Sequence, residues 1–345
     1  MVEKLEKPVR FGIVGCGVVS ELHARALAEC PYGTLAAAAD LRADSLDKFS
    51  GLYEVPHTFA RYEDMLTSDE IDVVCVCTPS GLHGEVTVAA ARAGKHILCE
   101  KPLEINTRVM TEMIAAAEEA KVQLGVVYQR RAMPVSRLVK QAIAAGELGP
   151  LVLCDAYLKY FRSQQYYDSA GWRGTWATDG GGALMNQGVH GVDMIQWLAG
   201  GITSVFAKAA ALARDIEVED TAVAVVQFSS GAFGVIEGAT TVYPERSSRF
   251  ELHGELGTVV FDDSGLQEWT VLEHDDRIAA VRAQIEEQAQ KGIKGTGHYA
   301  FIEDMALAVR EGREPLVPGA EARKAVDVIL AIYESARTGR EVHIG

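Results

Sequence analysis

Residues able to transfer a proton stand at two places in this 345-residue chain. Lys101 lies in Glu100-Lys101-Pro102, directly after the apolar run 95–99, and an ammonium at the end of a buried strand can hydrogen-bond a reacting oxygen. Asn186 and His190 are four residues apart, so on a helix their side chains share one face. Because imidazole titrates near neutrality, we expect His190 to act as a base, and Lys101 and Asn186 to share the catalytic site.

Glycines surround the Asn186–His190 pair. Gly180–Gly182 precede a helix predicted over 182–199, and Gly188 and Gly191 lie within it. Each glycine inside a helix costs up to ~1 kcal/mol relative to alanine. We therefore expect another backbone or a cofactor to approach this helix closely. The alternative is that His190 is a histidine packed in the core.

A glycine-rich segment, Gly12-Ile-Val-Gly15-Cys-Gly17-Val-Val-Ser20, joins the first predicted strand to the first predicted helix. Gly15 permits a tight turn, and Gly17 lets the backbone approach a pyrophosphate at the helix N-terminus. Asp40 ends the second predicted strand, where its carboxylate can bind the ribose hydroxyls of an adenosine and repel a 2′-phosphate. The predicted dinucleotide site is Gly15, Cys16, Gly17, Val18, Val19, Asp40 and Arg42. NAD is favoured, with NADP left open because Arg42 can partly accommodate a phosphate.

Two further turns lie at the carboxyl ends of predicted strands, where open α/β sheets bind ligands. Thr78-Pro79 stops one strand, and His83 begins the next helix, where capping that helix is an alternative role for it. Glu100-Lys101 follows the next strand. We expect these turns to contribute Thr78, Pro79, His83, Glu100 and Lys101 to the cofactor site.

Alternation of apolar runs and helical patterns predicts a doubly wound parallel sheet over residues 1–127. Predicted strands cover 9–14, 34–39, 72–77, 95–99 and 123–127, and predicted helices cover 20–29, 82–93 and 107–120. Residues 128–345 are expected to form a second, α+β domain with a large open antiparallel sheet. Its predicted strands cover 151–161, 202–212, 220–229, 232–243, 248–254 and 257–263, and predicted helices follow over 274–290, 298–311 and 320–338. The last helix is an element that could pack back on the first domain.

Four arginines lie near the predicted catalytic and cofactor segments, although 48 acidic against 33 basic residues give a net charge of −15. Arginine is suited to bidentate contacts with a carboxylate or phosphate. We therefore expect Arg130, Arg131, Arg162 and Arg173 to line a site for an anionic substrate, with solvated surface as the alternative for each. Tyr160, Tyr166, Tyr167 and Trp176 add flat faces suited to sugar rings.

The overall acidic charge disfavours broad binding to nucleic acid or to anionic membranes. No apolar run reaches the ~18 residues of a membrane span, and the first ten residues do not resemble a signal peptide. The six cysteines stand mostly in apolar stretches, which indicates reduced thiols and a cytoplasmic protein. We expect no metal site, because Cys75 and Cys77 have no second ligand pair at metal-binding spacing.

Four motifs in this order resemble the glucose-fructose oxidoreductase / inositol dehydrogenase / rhizopine catabolism family. They are the glycine loop, Thr78-Pro-x-x-x-His83, Glu100-Lys-Pro102 and the segment 180–193, and the likeness continues through 298–304 and 331–339. The resemblance implies an NAD(P)-dependent oxidoreductase acting on a secondary alcohol of a sugar, sugar acid, nucleotide sugar or cyclitol. It also implies a homodimer or homotetramer. A non-catalytic regulator that senses cofactor or sugar on the same fold is the alternative.

The family pattern assigns catalytic roles to residues matching Lys101 and His190, but it carries aspartate where this chain has Asn186. Asparagine can orient the imidazole but cannot raise its basicity, so the resemblance implies a weaker histidine base and a larger share for Lys101. Asp193 either replaces the missing carboxylate or caps a neighbouring segment. Trp172 and Arg173 resemble a pair that lies against cofactor or substrate. Asn186 and the run 166–176 are similar to nucleotide-sugar uronate 3-dehydrogenases, with a neutral hexose or inositol as the alternative substrate.

Overall fold

A computed structural model describes residues 7–273, 277–290 and 297–345, which form two compact units. Residues 7–129 and 297–323 belong to the first unit, and residues 130–273, 277–290 and 324–345 belong to the second. Among the described helices, none combines the length and the apolar character that crossing a bilayer requires.

The first unit contains a six-stranded parallel sheet in the order β3-β2-β1-β4-β5-β6. Its strands are β1 (Val9–Val14), β2 (Gly33–Ala39), β3 (His57–Phe59), β4 (Val73–Val76), β5 (His96–Cys99) and β6 (Leu124–Val126). The helices are α1 (Ser20–Glu29), α2 (Ala43–Tyr53), α3 (Tyr62–Leu66), α4 (His83–Arg92) and α5 (Thr107–Ala120), with 3₁₀ turns at Ser80–Leu82 and Gln129–Ala132. The predicted doubly wound sheet is confirmed, and β4 is buried along its whole length.

The second unit contains an eight-stranded sheet in the order β13-β12-β11-β7-β10-β9-β8-β14. Its elements up to residue 271 are α6 (Pro134–Ala144), β7 (Leu151–Lys159), α7 (Gln164–Asp168), a π-helix (Ala183–Gly188), α8 (Val189–Ala199), β8 (Ile202–Ala210), β9 (Thr221–Phe228), β10 (Phe233–Ala239), β11 (Arg249–Gly254), β12 (Gly257–Asp262) and β13 (Gly265–Val271). The remaining elements of the chain are α9 (Arg277–Gln290), α10 (Gly297–Glu311), α11 (Gly319–Thr338) and β14 (Val342–His343). Of the helix predicted over 274–290, residues 274–276 lie outside the described residues.

This second sheet is mixed rather than wholly antiparallel. β10 pairs with β9 in antiparallel fashion but with β7 in parallel fashion. A parallel pair needs a long crossover, and β7 is indeed followed by α7, the π-helix and α8 before the next strand begins. The prediction of a large antiparallel sheet therefore holds for the remaining pairs but not for β7 and β10.

Burial alternates along the strands of the second sheet. In β9, Ala222, Ala224 and Val226 are buried, whereas Val223 and Val225 on the opposite face are 46% and 53% exposed. Helix α8 covers the buried face at β7, where Gly191 packs against Leu158. One face of the sheet is thus a core, and the other is open.

Candidate functional site

The glycine loop of the first unit leaves its backbone accessible. Gly15 has φ +94°, and a Cβ there would lie 2.7 Å from the Cys77 carbonyl oxygen, so only glycine fits this turn beside β4. At Gly17, no described atom lies within 4 Å of a built Cβ, and the neighbouring Val18 is 87% exposed. Val19, before the first turn of α1, provides no side-chain cap. These features fit a pyrophosphate bound at the start of the helix.

Asp40 is fixed next to this loop at the carboxyl end of β2. Its Oδ2 accepts the Cys16 N–H at 2.8 Å and its Oδ1 accepts the Arg42 N–H at 2.8 Å. The Arg42 Nε lies 3.9 Å from Oδ1, and the Arg42 side chain is 69% exposed. A carboxylate held beside the phosphate loop fits the ribose hydroxyls of an adenosine.

His83 connects two turns at the carboxyl edge of the first sheet. It is 1% exposed, and its ring nitrogens lie 2.8 Å from the Pro102 carbonyl oxygen and 2.9 Å from the Thr78 carbonyl oxygen. His83 therefore ties the turn after β4 to the turn after β5. This arrangement favours a role in positioning Thr78, Pro79 and Lys101.

Glu100, next to Lys101, is buried between His23, which the sequence did not single out, and His298, which it marked only as part of the motif 298–304. Its Oε1 accepts hydrogen bonds from Nε2 of His23 at 2.7 Å and Nε2 of His298 at 2.8 Å. Its Oε2 accepts the Lys101 backbone N–H at 3.3 Å. Burial disfavours the charged carboxylate, but the two histidines outweigh it and hold the pKa of Glu100 well below its ordinary value. An ionised Glu100 thus anchors the backbone of Lys101.

The predicted helix over 182–199 is two helices in series. Asn186 lies in the π-helix Ala183–Gly188, and His190 lies in the first turn of α8. π-Helical turns are rare and frequently mark functional sites. A Cβ on Gly182 would lie 2.0 Å from the Glu219 carbonyl oxygen, and one on Gly191 would lie 2.2 Å from Leu158 Cδ2. The glycines therefore admit groups of this same unit, including the backbone of Glu219.

Asn186 contacts a carboxylate that stands elsewhere in the sequence. Its Nδ2 donates to Oδ1 of Asp179, and its Oδ1 accepts from Gln187 Nε2 at 2.7 Å. Asp179 is 2% exposed, and its Oδ2 also accepts the Gly174 N–H at 2.9 Å. A carboxylate is thus present beside position 186, although residue 186 itself is an amide.

Asp193 forms a buried ion pair with Arg131. The Arg131 Nε donates to Asp193 Oδ2 at 2.7 Å, and the two side chains are 4% and 1% exposed. The guanidinium also lies over the Trp197 ring, 5.1 Å from its centroid. From the sequence, Asp193 was expected either to support His190 or to cap a neighbouring segment, and Arg131 was expected to bind an anionic substrate. This burial favours a structural role for the pair.

Arg162 and Arg173 converge on Tyr166, and Arg130 does not join them there. The guanidinium carbons of Arg162 and Arg173 lie 5.7 and 4.3 Å from the Tyr166 ring centroid. Arg162 also pairs with Glu245 at 2.8 Å and binds Gln187 Oε1, whose amide reaches the Tyr166 hydroxyl. Arg130 instead pairs with Asp263 at 2.8 Å and binds Ser248.

Arg173 differs from the other three arginines in its partners. It donates to the Tyr166 hydroxyl and lies 4.6 Å from the centroid of the Trp172 ring. Within the residues that the structure describes, no carboxylate pairs with Arg173, and its buried Nε has no partner. Its guanidinium is held in place by aromatic rings and retains an N–H group that can donate a further hydrogen bond.

Comparison with known families agrees with these two units. Residues 9–128 match the oxidoreductase family with the NAD-binding Rossmann fold, and residues 136–260 match the GFO/IDH/MocA C-terminal domain. The chain belongs to the Gfo/Idh/MocA family and is an NAD-binding oxidoreductase. The family, fold class and enzyme class predicted from the motifs are confirmed, and so is NAD as the cofactor.

Individual relatives cover almost the whole chain. The rhizopine catabolism protein MocA of Rhizobium meliloti is 30% identical over 89% of this chain and 95% of its own length. The myo-inositol 2-dehydrogenase of Thermotoga maritima is 27% identical over 97% and 98%. The crystal structure of the WlbA dehydrogenase from Bordetella pertussis, in complex with NADH and UDP-GlcNAcA, is 34% identical, covers 99% of both chains and superposes with a TM-score of 0.92.

Proposed function

We propose that this oxidoreductase transfers a hydride from a secondary alcohol of a nucleotide-linked uronic acid to NAD. The observation that carries the proposal is Arg173, a guanidinium fixed against Tyr166 and Trp172 without a described carboxylate partner. Such a group is suited to a carboxylate on the substrate. The similarity to the WlbA dehydrogenase, whose crystal structure contains UDP-GlcNAcA, supports this substrate class over a neutral sugar.

The proposed chemistry uses one proton acceptor and one cation. Bound NAD would be held by Gly15–Val19 and Asp40, and it supplies the hydride acceptor. His190 takes the proton of the substrate hydroxyl as the C–H hydride leaves and the C=O bond forms. The Lys101 ammonium stabilises the developing negative oxygen. Asn186 orients the site, and Asp179 holds the Asn186 amide in place.

The test compares charged and neutral substrates. NADH formation is measured with NAD and UDP-N-acetylglucosaminuronic acid, UDP-N-acetylglucosamine, free glucuronate and myo-inositol. We expect turnover with the nucleotide-linked uronic acid and loss of it in Lys101→Ala and His190→Ala, while both variants still bind NADH. Equal rates with the neutral sugars would refute the anionic substrate. NADH binding without turnover of any compound would favour the regulatory alternative.

The role of Arg173 has its own test, because the sequence also assigned it to the cofactor. With the uronic acid substrate, we expect Arg173→Ala to raise KM about tenfold or more, the scale of one lost charged hydrogen bond. The Kd for NADH should stay unchanged, and Arg173→Lys should restore only part of the loss because an ammonium cannot make the bidentate contact. A raised Kd for NADH with an unchanged KM would indicate that Arg173 binds the cofactor rather than the substrate.

The open face of the second sheet supports a homodimer or homotetramer. Phe206 pairs across strands with Val225, and Phe233 pairs with Leu153, and these four side chains are 41–57% exposed. A contiguous exposed apolar patch on a sheet marks a protein interface. Sedimentation analysis of Val225→Lys should show smaller species than the wild type.

The proposed reaction takes place in the cytoplasm. All six cysteines are buried and reduced, as expected for that compartment.

A further inference from the structure

One residue binds the first three peptide groups of the helix that carries Asn186. The Gly182 N–H donates to Glu219 Oε2 at 2.9 Å, and the Leu184 N–H donates to Glu219 Oε1 at 2.8 Å. The Ala183 N–H between them donates to the Glu219 backbone oxygen at 3.0 Å. Three consecutive peptide groups at the start of the π-helix are therefore bound by Glu219 alone.

The Glu219 carboxylate is buried among neutral donors. Glu219 is 2% exposed, and its Oε1 also accepts a hydrogen bond from the Tyr333 hydroxyl at 2.8 Å. The close packing leaves no room for a side chain at Gly181 or Gly182, because a Cβ there would lie 2.1 Å from the Tyr333 hydroxyl oxygen or 2.0 Å from the Glu219 carbonyl oxygen. The position of the π-helix thus depends on the two acceptor oxygens of one carboxylate.

We propose that Glu219 is a positioning residue whose ionised carboxylate fixes the π-helix that carries Asn186 and leads directly into α8 with His190, and whose protonation releases the first turn of the π-helix. The inference rests on the catalytic roles proposed for Asn186 and His190. Protonation at Oε2 turns the acceptor of the Gly182 N–H into a hydroxyl, which must itself donate and accepts more weakly than a carboxylate oxygen. The Gly182 peptide group would then be buried with a weakened acceptor, which is costly.

The surroundings of Glu219 place the protonation of its carboxylate near neutral pH. Burial raises the pKa of Glu219 to about 7, because its hydrogen bonds from two peptide groups and Tyr333 offset burial only in part. The titratable groups facing it are Tyr333 and Tyr167, with Asp179 close to both. Glu217, Glu334 and Arg337 line the adjoining surface cavity of about 610 Å³. Because ionised Glu219 is the active form, activity should fall as pH decreases through about 7.

The test is the pH profile of kcat with NAD and UDP-N-acetylglucosaminuronic acid. In Glu219→Gln, one amide oxygen replaces two acceptors, so we expect kcat at pH 8 to fall about tenfold, equivalent to ~1.4 kcal/mol. The acid limb of its profile, over which kcat falls as pH decreases, should depend on one proton fewer than in the wild type. Tyr333→Phe removes a donor to the carboxylate, which should raise the pKa of Glu219 and move the limb to higher pH.

Glu334→Gln is the matched control, because this exposed carboxylate lines the same cavity. It should leave the wild-type profile unchanged. The inference is overturned if Glu219→Gln keeps the wild-type kcat and the full acid limb, or if Tyr333→Phe leaves the limb in place.

A measurement without substrate separates this inference from the proposed function. Difference infrared spectra between pH 5.5 and 8.5 should show a protonated carboxyl band in the wild type that Glu219→Gln lacks. Hydrogen exchange at Gly182 and Leu184, corrected for intrinsic rates, should rise as that band appears. If the band titrates and hydrogen exchange follows it, but no uronic acid is turned over, then the proposed function is refuted and the inference about Glu219 is supported. If the band is absent, Glu219 does not titrate and the inference fails.

Discussion

Each unit buries a glutamate next to a proposed catalytic segment, and the two glutamates differ in their donors. Glu100 receives hydrogen bonds from the imidazoles of His23 and His298, and its pKa is held well below the ordinary value. Glu219 receives them from peptide groups and Tyr333, and burial raises its pKa to about 7. Both carboxylates are at most 4% exposed, so the exposed fraction does not explain the difference.

The difference shows that a buried carboxylate keeps its charge when imidazoles donate hydrogen bonds to it. His23 and His298 favour the charged form of Glu100 first by hydrogen bonding and then electrostatically, although burial lowers the pKa of His23 itself and favours its neutral imidazole. Peptide and phenol groups supply hydrogen bonds only, which leaves much of the burial cost in place. Glu100 is therefore a permanent anchor for Lys101, whereas Glu219 can change its ionisation in the range where an enzyme works.

Glu100→Gln should produce the largest effect, because it leaves the buried imidazole of His23 and the partly buried imidazole of His298 facing an amide. We expect the free energy of unfolding at pH 7 to fall by ~3 kcal/mol, as when one partner of a buried charged pair is removed. Denaturant titration measures the loss, and Glu85→Gln, which alters an exposed acid on α4, should stay within ~0.5 kcal/mol of wild type. A loss below ~1 kcal/mol would show that the histidines do not hold Glu100 as a charge.

Asn186→Asp tests a third buried carboxylate, Asp179, which like Glu219 has uncharged donors. The substitution brings two carboxylates into contact, so we expect kcat to fall about tenfold at pH 8 and the pH–rate profile to shift. The double variant Asp179→Asn/Asn186→Asp should recover most of the lost kcat, because it again pairs one amide with one carboxylate. An unchanged profile in Asn186→Asp would place residue 186 outside the site.

His298→Gln should have the smallest effect and tests the role of charge most directly. Glutamine offers Glu100 a neutral N–H in place of an imidazole, so the pKa of Glu100 should rise towards its ordinary value. A carboxylate with a lowered pKa stabilises the fold above the unfolded pKa, and this contribution is lost as pH falls through the folded pKa. The acid-unfolding midpoint should therefore move to higher pH, with a loss of ~1 kcal/mol at pH 7. Identical midpoints for variant and wild type would contradict the proposed contrast.

The sequence predicted those features that arise from local periodicity. Five of the six strands of the first sheet and the helices α1, α4 and α5 lie within one or two residues of their predicted bounds. β3 was missed because it has three residues that are mostly exposed, and α2 was missed because only Leu46 and Phe49 are buried. Helices α3, α6 and α7 and strands β13 and β14 were missed as well.

The sequence did not indicate which residues distant in the chain contact one another. Glu219 lies 37 residues from Gly182, and His298 lies 198 residues from Glu100. The motif 298–304 marked His298 as part of the family pattern but did not indicate what it binds. The helix predicted over 182–199 did not separate the π-helix from α8. The first peptide groups of the π-helix are bound by Glu219, a contact that only the fold creates.

The contact between Asp179 and Asn186 changes how this chain should be aligned with its family. A comparison by sequence column records the loss of an acid at position 186. In space, the carboxylate of Asp179 nevertheless stands next to position 186, where it accepts a hydrogen bond from the Asn186 amide. Searches for active relatives should therefore accept an acid at either of these two positions.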